Sequence, residues 1–172
     1  MRRLLLTMVA ILVSSSLFAF NRGFDDLFKA GTLRIDYTFM GNASQQYVAL
    51  HDMSYTDNWY GRRINLNNVP LKGNGDLTLT DSVTGEVIYM TSFSSLFQEW
   101  ITTPEALEID KSFEFTILVP MPLNKCVATL VLRDNKGKES IHKFTIDPND
   151  TLIRNRTNQE PLPYKYIHKG DD

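Results

Sequence analysis

The side chains that could carry out catalysis are few and scattered in this sequence. The three histidines are His51, His142 and His168, and the single cysteine is Cys126. A zinc site of the hydrolytic helical type needs two histidines one helical turn apart and a glutamate beside them, as in His-Glu-x-x-His. No two of these histidines have that spacing. We therefore expect no metal ligand and no catalytic residue in this chain.

Nucleophilic and phosphate chemistry have no better support. No serine lies in a Gly-x-Ser-x-Gly elbow. Cys126 begins the apolar run 126–132, which predicts a small, unreactive core residue. Gly73 and Gly75 lack the strand–loop–helix frame of a phosphate site, and they predict a tight turn with positive φ instead.

Aromatic rings with neighbouring arginines are the remaining candidate site. Rings of this kind in loops are common anchors of protein-binding and sugar-binding surfaces. The alternative is that they close one end of the fold or pack against another domain. The sequence favours this alternative, because large rings contribute mostly by burying apolar area. The candidates for an interface or binding surface are Trp59, Tyr60, Arg62, Arg63, Phe97 and Trp100.

Short strands between turns must position these side chains. Residues 33–39 alternate strictly between apolar and polar side chains, which places one face of a strand on a core. Residues 81–85 and 134–137 have the composition of hairpin turns. The predicted strands are 33–39, 46–52, 76–80, 86–91, 112–119, 127–133 and 140–146. This pattern predicts an all-β, immunoglobulin-like antiparallel β-sandwich of about seven strands.

One or two short helical turns should cross between the sheets. Ser94 or Ser95 is placed to cap a turn over residues 96–100, and Thr103 to cap one that begins at Pro104.

The two ends of the sequence differ from this middle part. Residues 1–19 have the basic head, apolar run and small residues of a secretory signal peptide, which predicts a secreted or periplasmic protein. We expect the sandwich over residues 20–148. Residues 149–172 read as a linker followed by the truncated start of another domain, because an apolar alternation begins at residues 164–167.

The charge of the mature chain excludes one class of partner. Removal of residues 1–19 takes away Arg2 and Arg3, which leaves 16 basic and 20 acidic side chains and a formal charge of −4. An acidic surface of this kind argues against nucleic acid as a partner. No apolar run after the signal peptide is long enough to span a membrane.

Five segments together resemble a known family. They are 32–37, 58–63, 70–75, 91–100 and 163–167. The chain is similar to the N-terminal domain of the IgA-protease metallopeptidase family, in which a secreted β-sandwich precedes a separate zinc protease domain. The resemblance implies a non-catalytic accessory domain that supports the protease domain or orients its substrate. It implies zinc only in that protease domain, which is absent here, so no cofactor is expected in this chain.

Three alternatives stay open at this point. The chain is a free-standing binding module for protein or carbohydrate if Trp59 and Trp100 line an exposed groove. It is an independent enzyme if His51 and His142 meet each other or a carboxylate. It associates with a separately encoded protease domain if an apolar patch surrounds residues 164–167.

Overall fold

The computed structural model describes residues 22–69 and 71–157. The strands are β1 (Phe28–Gly41), β2 (Gln46–Asp57), β3 (Gly75–Asp81), β4 (Val87–Phe93), β5 (Lys111–Pro122), β6 (Cys126–Arg133), β7 (Glu139–Ile146) and β8 (Arg154–Asn155). The helical segments are α1 (Phe24–Leu27), α2 (Leu96–Trp100) and a 3₁₀ turn (Pro104–Leu107). The predicted signal peptide, the alternation at residues 164–167 and His168 lie outside the described residues.

Two four-stranded sheets form the molecule, with strand orders β5-β1-β2-β8 and β4-β3-β6-β7. Neighbouring strands are antiparallel except β2 and β8, which are parallel. The predicted all-β sandwich is confirmed. The strand order differs from that of an immunoglobulin domain. Here the fifth strand pairs with the first, whereas the fifth strand of an immunoglobulin domain pairs with the second. β1 is therefore the long central strand that connects the two ends of the sandwich.

The core lies between the sheets and follows the alternation of the sequence. Leu33, Ile35, Tyr37 and Phe39 of β1 are at most 1% exposed. Burial of each such side chain contributes roughly 1.5–3 kcal/mol. Cys126 is fully buried at the start of β6, and burial raises the pKa of its thiol to about 12. The reactive thiolate is therefore scarce at neutral pH, in agreement with the predicted core role.

The predicted helical turns lie where the sequence placed them. Ser95 caps α2, because its hydroxyl accepts a hydrogen bond from the Gln98 amide at 3.3 Å. Thr103 occupies the N-cap position of the 3₁₀ turn, but its side chain forms no capping hydrogen bond. The sequence did not predict α1, a single turn that buries Phe24 and Leu27.

The glycines beside β3 differ from their prediction. Gly73 and Gly75 have no positive φ. The carbonyl of Phe93 lies against Gly73 and its ring against Gly75, so that a Cβ at either position would collide. Close approach of Phe93 therefore requires these glycines. Positive φ occurs instead at Gly85 (+71°) and Gly137 (+78°), in the predicted hairpin turns.

The chain stays against the sandwich beyond residue 148. Arg154 and Asn155 add a short parallel strand to Ser54 and Tyr55 of β2. The amide of Arg156 then donates to the Tyr55 carbonyl at 2.8 Å. No helix in residues 22–69 and 71–157 has the length and apolar character needed to span a bilayer.

Candidate functional site

The candidate residues lie at two opposite ends of the sandwich. At one end, Thr32 Oγ1 donates to the Asn58 carbonyl at 2.7 Å, which ties residues 58–69 to the beginning of β1. At the other end, the Phe97 ring packs against Phe39, near the end of β1, with ring centroids 6.3 Å apart. The seven residue steps from Thr32 to Phe39 span about 23 Å of strand. We call residues 58–69 with α1 the loop end, and α2, the 3₁₀ turn and residues 111–115 the helix end.

Trp59 anchors the loop end. Its ring packs edge-on against Tyr89 of β4, with centroids 6.0 Å apart, and is partly buried. Its Nε1 donates to the Arg62 carbonyl at 3.0 Å. These two contacts hold the Trp59 ring against its own domain.

Arg62 fixes the shape of the same loop. Its guanidinium donates to the carbonyls of Leu66 (3.2 Å), Asn68 and Met90, and it lies 5.1 Å from the centre of the Tyr89 ring. The Met90 amide in turn donates to the Leu66 carbonyl at 2.8 Å. Arg62 and Leu66 thus cover the outer edge of β4, and Arg62 is a structural residue of the loop.

The exposed groups of the loop end are apolar tips beside a basic side chain. Tyr60 and Ile64 are 88% and 75% exposed. Arg63 lies 4.2 Å from the centre of the Phe24 ring and pairs with Asp25 at 2.5 Å. A groove of about 470 Å³ runs between α1, this loop and β4. Apolar tips around a partly polar groove suit contact with another folded domain.

The last described strand points toward this loop end. β8 runs parallel to β2, with Ser54 opposite Arg154 and Tyr55 opposite Asn155. β8 therefore points in the direction in which β2 ends, at Asp57, and residues 58–69 begin there. Arg22, at the start of the described chain, pairs with Glu86 near the same end.

Phe97 and Trp100 have structural roles at the helix end. Phe97 is fully buried, and its ring centroid lies 6.0 Å from that of Trp100 and 5.8 Å from that of Phe113. A partner therefore cannot reach its ring in this structure. Trp100 is half-buried. Its Nε1 donates to Glu105 Oε2 at 2.8 Å, and the Lys111 ammonium lies 5.6 Å from its ring centre.

A small apolar pocket opens beside these rings. It has a volume of about 250 Å³ and lies between α2 and β5. Leu96, which is 69% exposed, stands at its edge. The carboxyl-bearing residues Glu99 and Glu114 also line it and are exposed. The helix end therefore combines an apolar recess with negative charge.

The two described histidines do not form a site together. His51 is exposed, and it has no partner on β1 because a bulge pairs Asp36 with Asp52 and Tyr37 with Leu50. His142 pairs with Leu130 of the buried face of β6, so it points between the sheets. Desolvation lowers the pKa of His142. The alternative of an independent enzyme assembled from these two histidines thus has no geometric support.

Charged groups around His51 pair with one another on the outer face of the sheet. Although partial burial raises the pKa of Asp36, hydrogen bonds from Arg34 and Thr116 outweigh that effect and hold this pKa below its usual value. Asp52 pairs with Arg154. Among residues 22–69 and 71–157, no three His, Cys, Asp or Glu side chains gather in a way that could hold a metal ion.

The family comparison decides which kind of domain this is. The model of the peptidase M64 N-terminus matches residues 23–145, from the residue before α1 to the penultimate residue of β7. The chain belongs to the peptidase M64 N-terminal family. The match covers most of the chain, and it includes both ends of the sandwich. A search of curated proteins found no match.

The M64 match supports the sequence resemblance at the level of the family. It covers the N-terminal part of a peptidase and therefore indicates an accessory domain with a peptidase domain as its partner. Sequence reasoning missed Leu66, Ile64, Leu96 and Glu114 at the two ends. The signal for Ile64 and Leu96 was available, since both are apolar residues beside predicted loops. Leu66 and Glu114 could not be recognised in this way. Leu66 covers the edge of β4 and Glu114 lies on the edge strand β5, and which strands lie at the edges is known only from the strand order.

Proposed function

We propose that this chain is the non-catalytic N-terminal accessory domain of a secreted or periplasmic zinc metalloendopeptidase. It supports the peptidase domain and orients polypeptide substrate for it. The family match and the direction of β8, which points toward residues 58–69, support this proposal. In this proposal zinc and the general base belong to the peptidase domain, as the family resemblance implies.

The loop end is the docking surface of this proposal. A domain that continues in the direction of β8 would meet residues 58–69 first, and a separately encoded domain would dock on the same surface. Arg62 and Trp59 hold this loop in one conformation, so that docking does not need to order it. Tyr60 and Ile64 then supply apolar contacts, and the Arg63–Asp25 pair supplies a polar rim.

The alternative function is a free-standing secreted module that binds protein or carbohydrate. It needs aromatic faces that a ligand can cover. Trp59 and Trp100 are both partly buried against their own domain, and Phe97 is buried completely. These contacts favour the accessory role over the free-standing module.

A binding experiment tests the docking surface. The DNA downstream of the gene for this chain is first sequenced to find a reading frame that encodes His-Glu-x-x-His. The peptidase domain encoded there is then purified and titrated with the full chain. Ile64→Asp should weaken binding by at least about tenfold, because it buries a carboxylate in the interface. Leu107→Asp is the matched control, since Leu107 is 78% exposed but lies at the helix end. Equal affinities for both variants, or the absence of such a frame, would contradict the proposal.

A further inference from the structure

The outer edge of β5 is the open sheet edge best suited to binding. β5 pairs with β1 along its length, and its backbone makes no hydrogen bond to any other described residue. The edge of β4 is covered by Leu66 and Arg62 at Met90, and β2 is covered at one end by β8. β7 carries the exposed charge Lys143 in its middle, which protects an edge against pairing. Residues 112–119 of β5 carry no proline and no lysine.

The side chains of β5 define two different faces along this edge. Phe113 and Phe115 point between the sheets, opposite Phe39 and Tyr37 of β1. They border the apolar pocket of about 250 Å³ next to α2. A strand added to this edge would place every second side chain against the pocket, because side chains alternate along a strand. Apolar side chains are therefore favoured at those positions.

The outward positions of β5 favour the opposite kind of side chain. The Glu114 carboxylate is exposed and forms no hydrogen bond or ion pair within the described chain. Glu99 borders the same pocket from α2 and is exposed as well. A lysine or arginine opposite Glu114 would form the cross-strand pair of opposite charges that stabilises sheets.

We infer that residues 112–119 of β5 bind an extended polypeptide segment, as an added strand, in which apolar side chains alternate with basic ones. The apolar residues enter the pocket between α2 and β5, and the basic ones face Glu114. This inference rests on the proposed function only in that the segment is part of a substrate for the peptidase. Binding itself requires this chain alone. Phe113, beside the pocket, lies opposite Phe39 and thus about 23 Å along the strand from Thr32 at the loop end, whereas Val119, opposite Leu33, lies near that end.

The test measures binding of a labelled decapeptide to the full chain by fluorescence anisotropy. The peptide alternates leucine or phenylalanine with lysine. Two further peptides carry N-methyl groups on every second amide. One is methylated at the odd-numbered residues and the other at the even-numbered residues, so that each has a different edge blocked. Strand addition uses one edge of the peptide, so one methylated peptide should bind at least about tenfold more weakly and the other should bind normally. Glu114→Lys should weaken binding about three- to tenfold, whereas Asp57→Lys, at the loop end, should have no effect.

Three results would overturn the inference. The first is equal binding of both N-methylated peptides. The second is an equal loss in Glu114→Lys and Asp57→Lys, which would show a general charge effect. The third is dimerisation of the chain that Glu114→Lys abolishes, since a second copy would then occupy the edge. Ile64→Asp should leave peptide binding unchanged, which separates a failure of this inference from a failure of docking.

Discussion

The loop end and the helix end of the sandwich use tryptophan in the same way and expose different chemistry. Trp59 and Trp100 each pack on aromatic neighbours and donate their indole N–H within the domain. What remains exposed is apolar and basic around Ile64 and Arg63, but apolar and acidic around Leu96 and Glu114. The tryptophans thus stabilise both ends, and the specificity of each surface resides in its smaller neighbours.

The largest effect on stability at either end is expected from a substitution of Phe97, at the helix end. Phe97→Ala is expected to lower the free energy of unfolding by about 3–5 kcal/mol, because it opens a cavity among Phe39, Trp100 and Phe113. Urea unfolding measures this loss. Leu96→Ala, on the exposed side of the same helix, should change stability by less than about 0.5 kcal/mol. A loss below 1 kcal/mol in Phe97→Ala would show that the ring is not part of the core.

At the loop end the corresponding residue is Arg62. Arg62→Ala should cost about 1–3 kcal/mol, because the carbonyls of Leu66, Asn68 and Met90 lose their charged donor. Hydrogen exchange at the Met90 amide should accelerate, since the loop no longer covers the edge of β4.

Arg63→Ala is the control for Arg62. Its ion pair with Asp25 is exposed, and such pairs contribute about 0–1 kcal/mol. It should therefore leave the exchange of the Met90 amide unchanged. Equal acceleration in both variants would argue against a specific role for the Arg62 guanidinium.

The strands and turns could be predicted because their cause is local. The alternation from Leu33 to Phe39 requires only a period of two, and Gly85 and Gly137 require only a tight turn. The requirement for Gly73 and Gly75 could not be predicted correctly, because Phe93, the residue that excludes a Cβ, comes from another strand.

The separation of the candidate residues could not be predicted for the same physical reason. Trp59 and Trp100 lie at opposite ends because β5 pairs with β1, and no local pattern encodes that pairing. The role of Arg62 also depends on a distant acceptor, the carbonyl of Met90, and backbone carbonyls leave no signal in a sequence. The free edge of β5 likewise becomes visible only when the strand order is known.

The smallest expected difference between the two ends is in their response to acid. At the helix side, burial raises the pKa of Asp76, but hydrogen bonds from Arg133 and Ser92 outweigh it and lower that pKa overall. At the loop side, amide hydrogen bonds from Thr84 and Val83 lower the pKa of Asp81. A carboxyl with a lowered pKa in the folded state stabilises the protein above its unfolded pKa, and this contribution is lost as the pH falls through the folded value.

Both Asp→Asn variants should therefore lose less stability than the wild type as the pH falls below about 4, the ordinary range of an aspartate in an unfolded chain. At pH 7 they should differ. Asp76→Asn keeps an acceptor oxygen but removes the negative charge that pairs with Arg133 at 2.6 Å in a largely buried site, so it should cost about 1–2 kcal/mol. Asp81→Asn retains an oxygen that accepts from the amides of Val83 and Thr84, so it should cost less. Urea unfolding at several pH values measures both effects, and an unchanged acid slope in either variant would remove that carboxyl from the explanation.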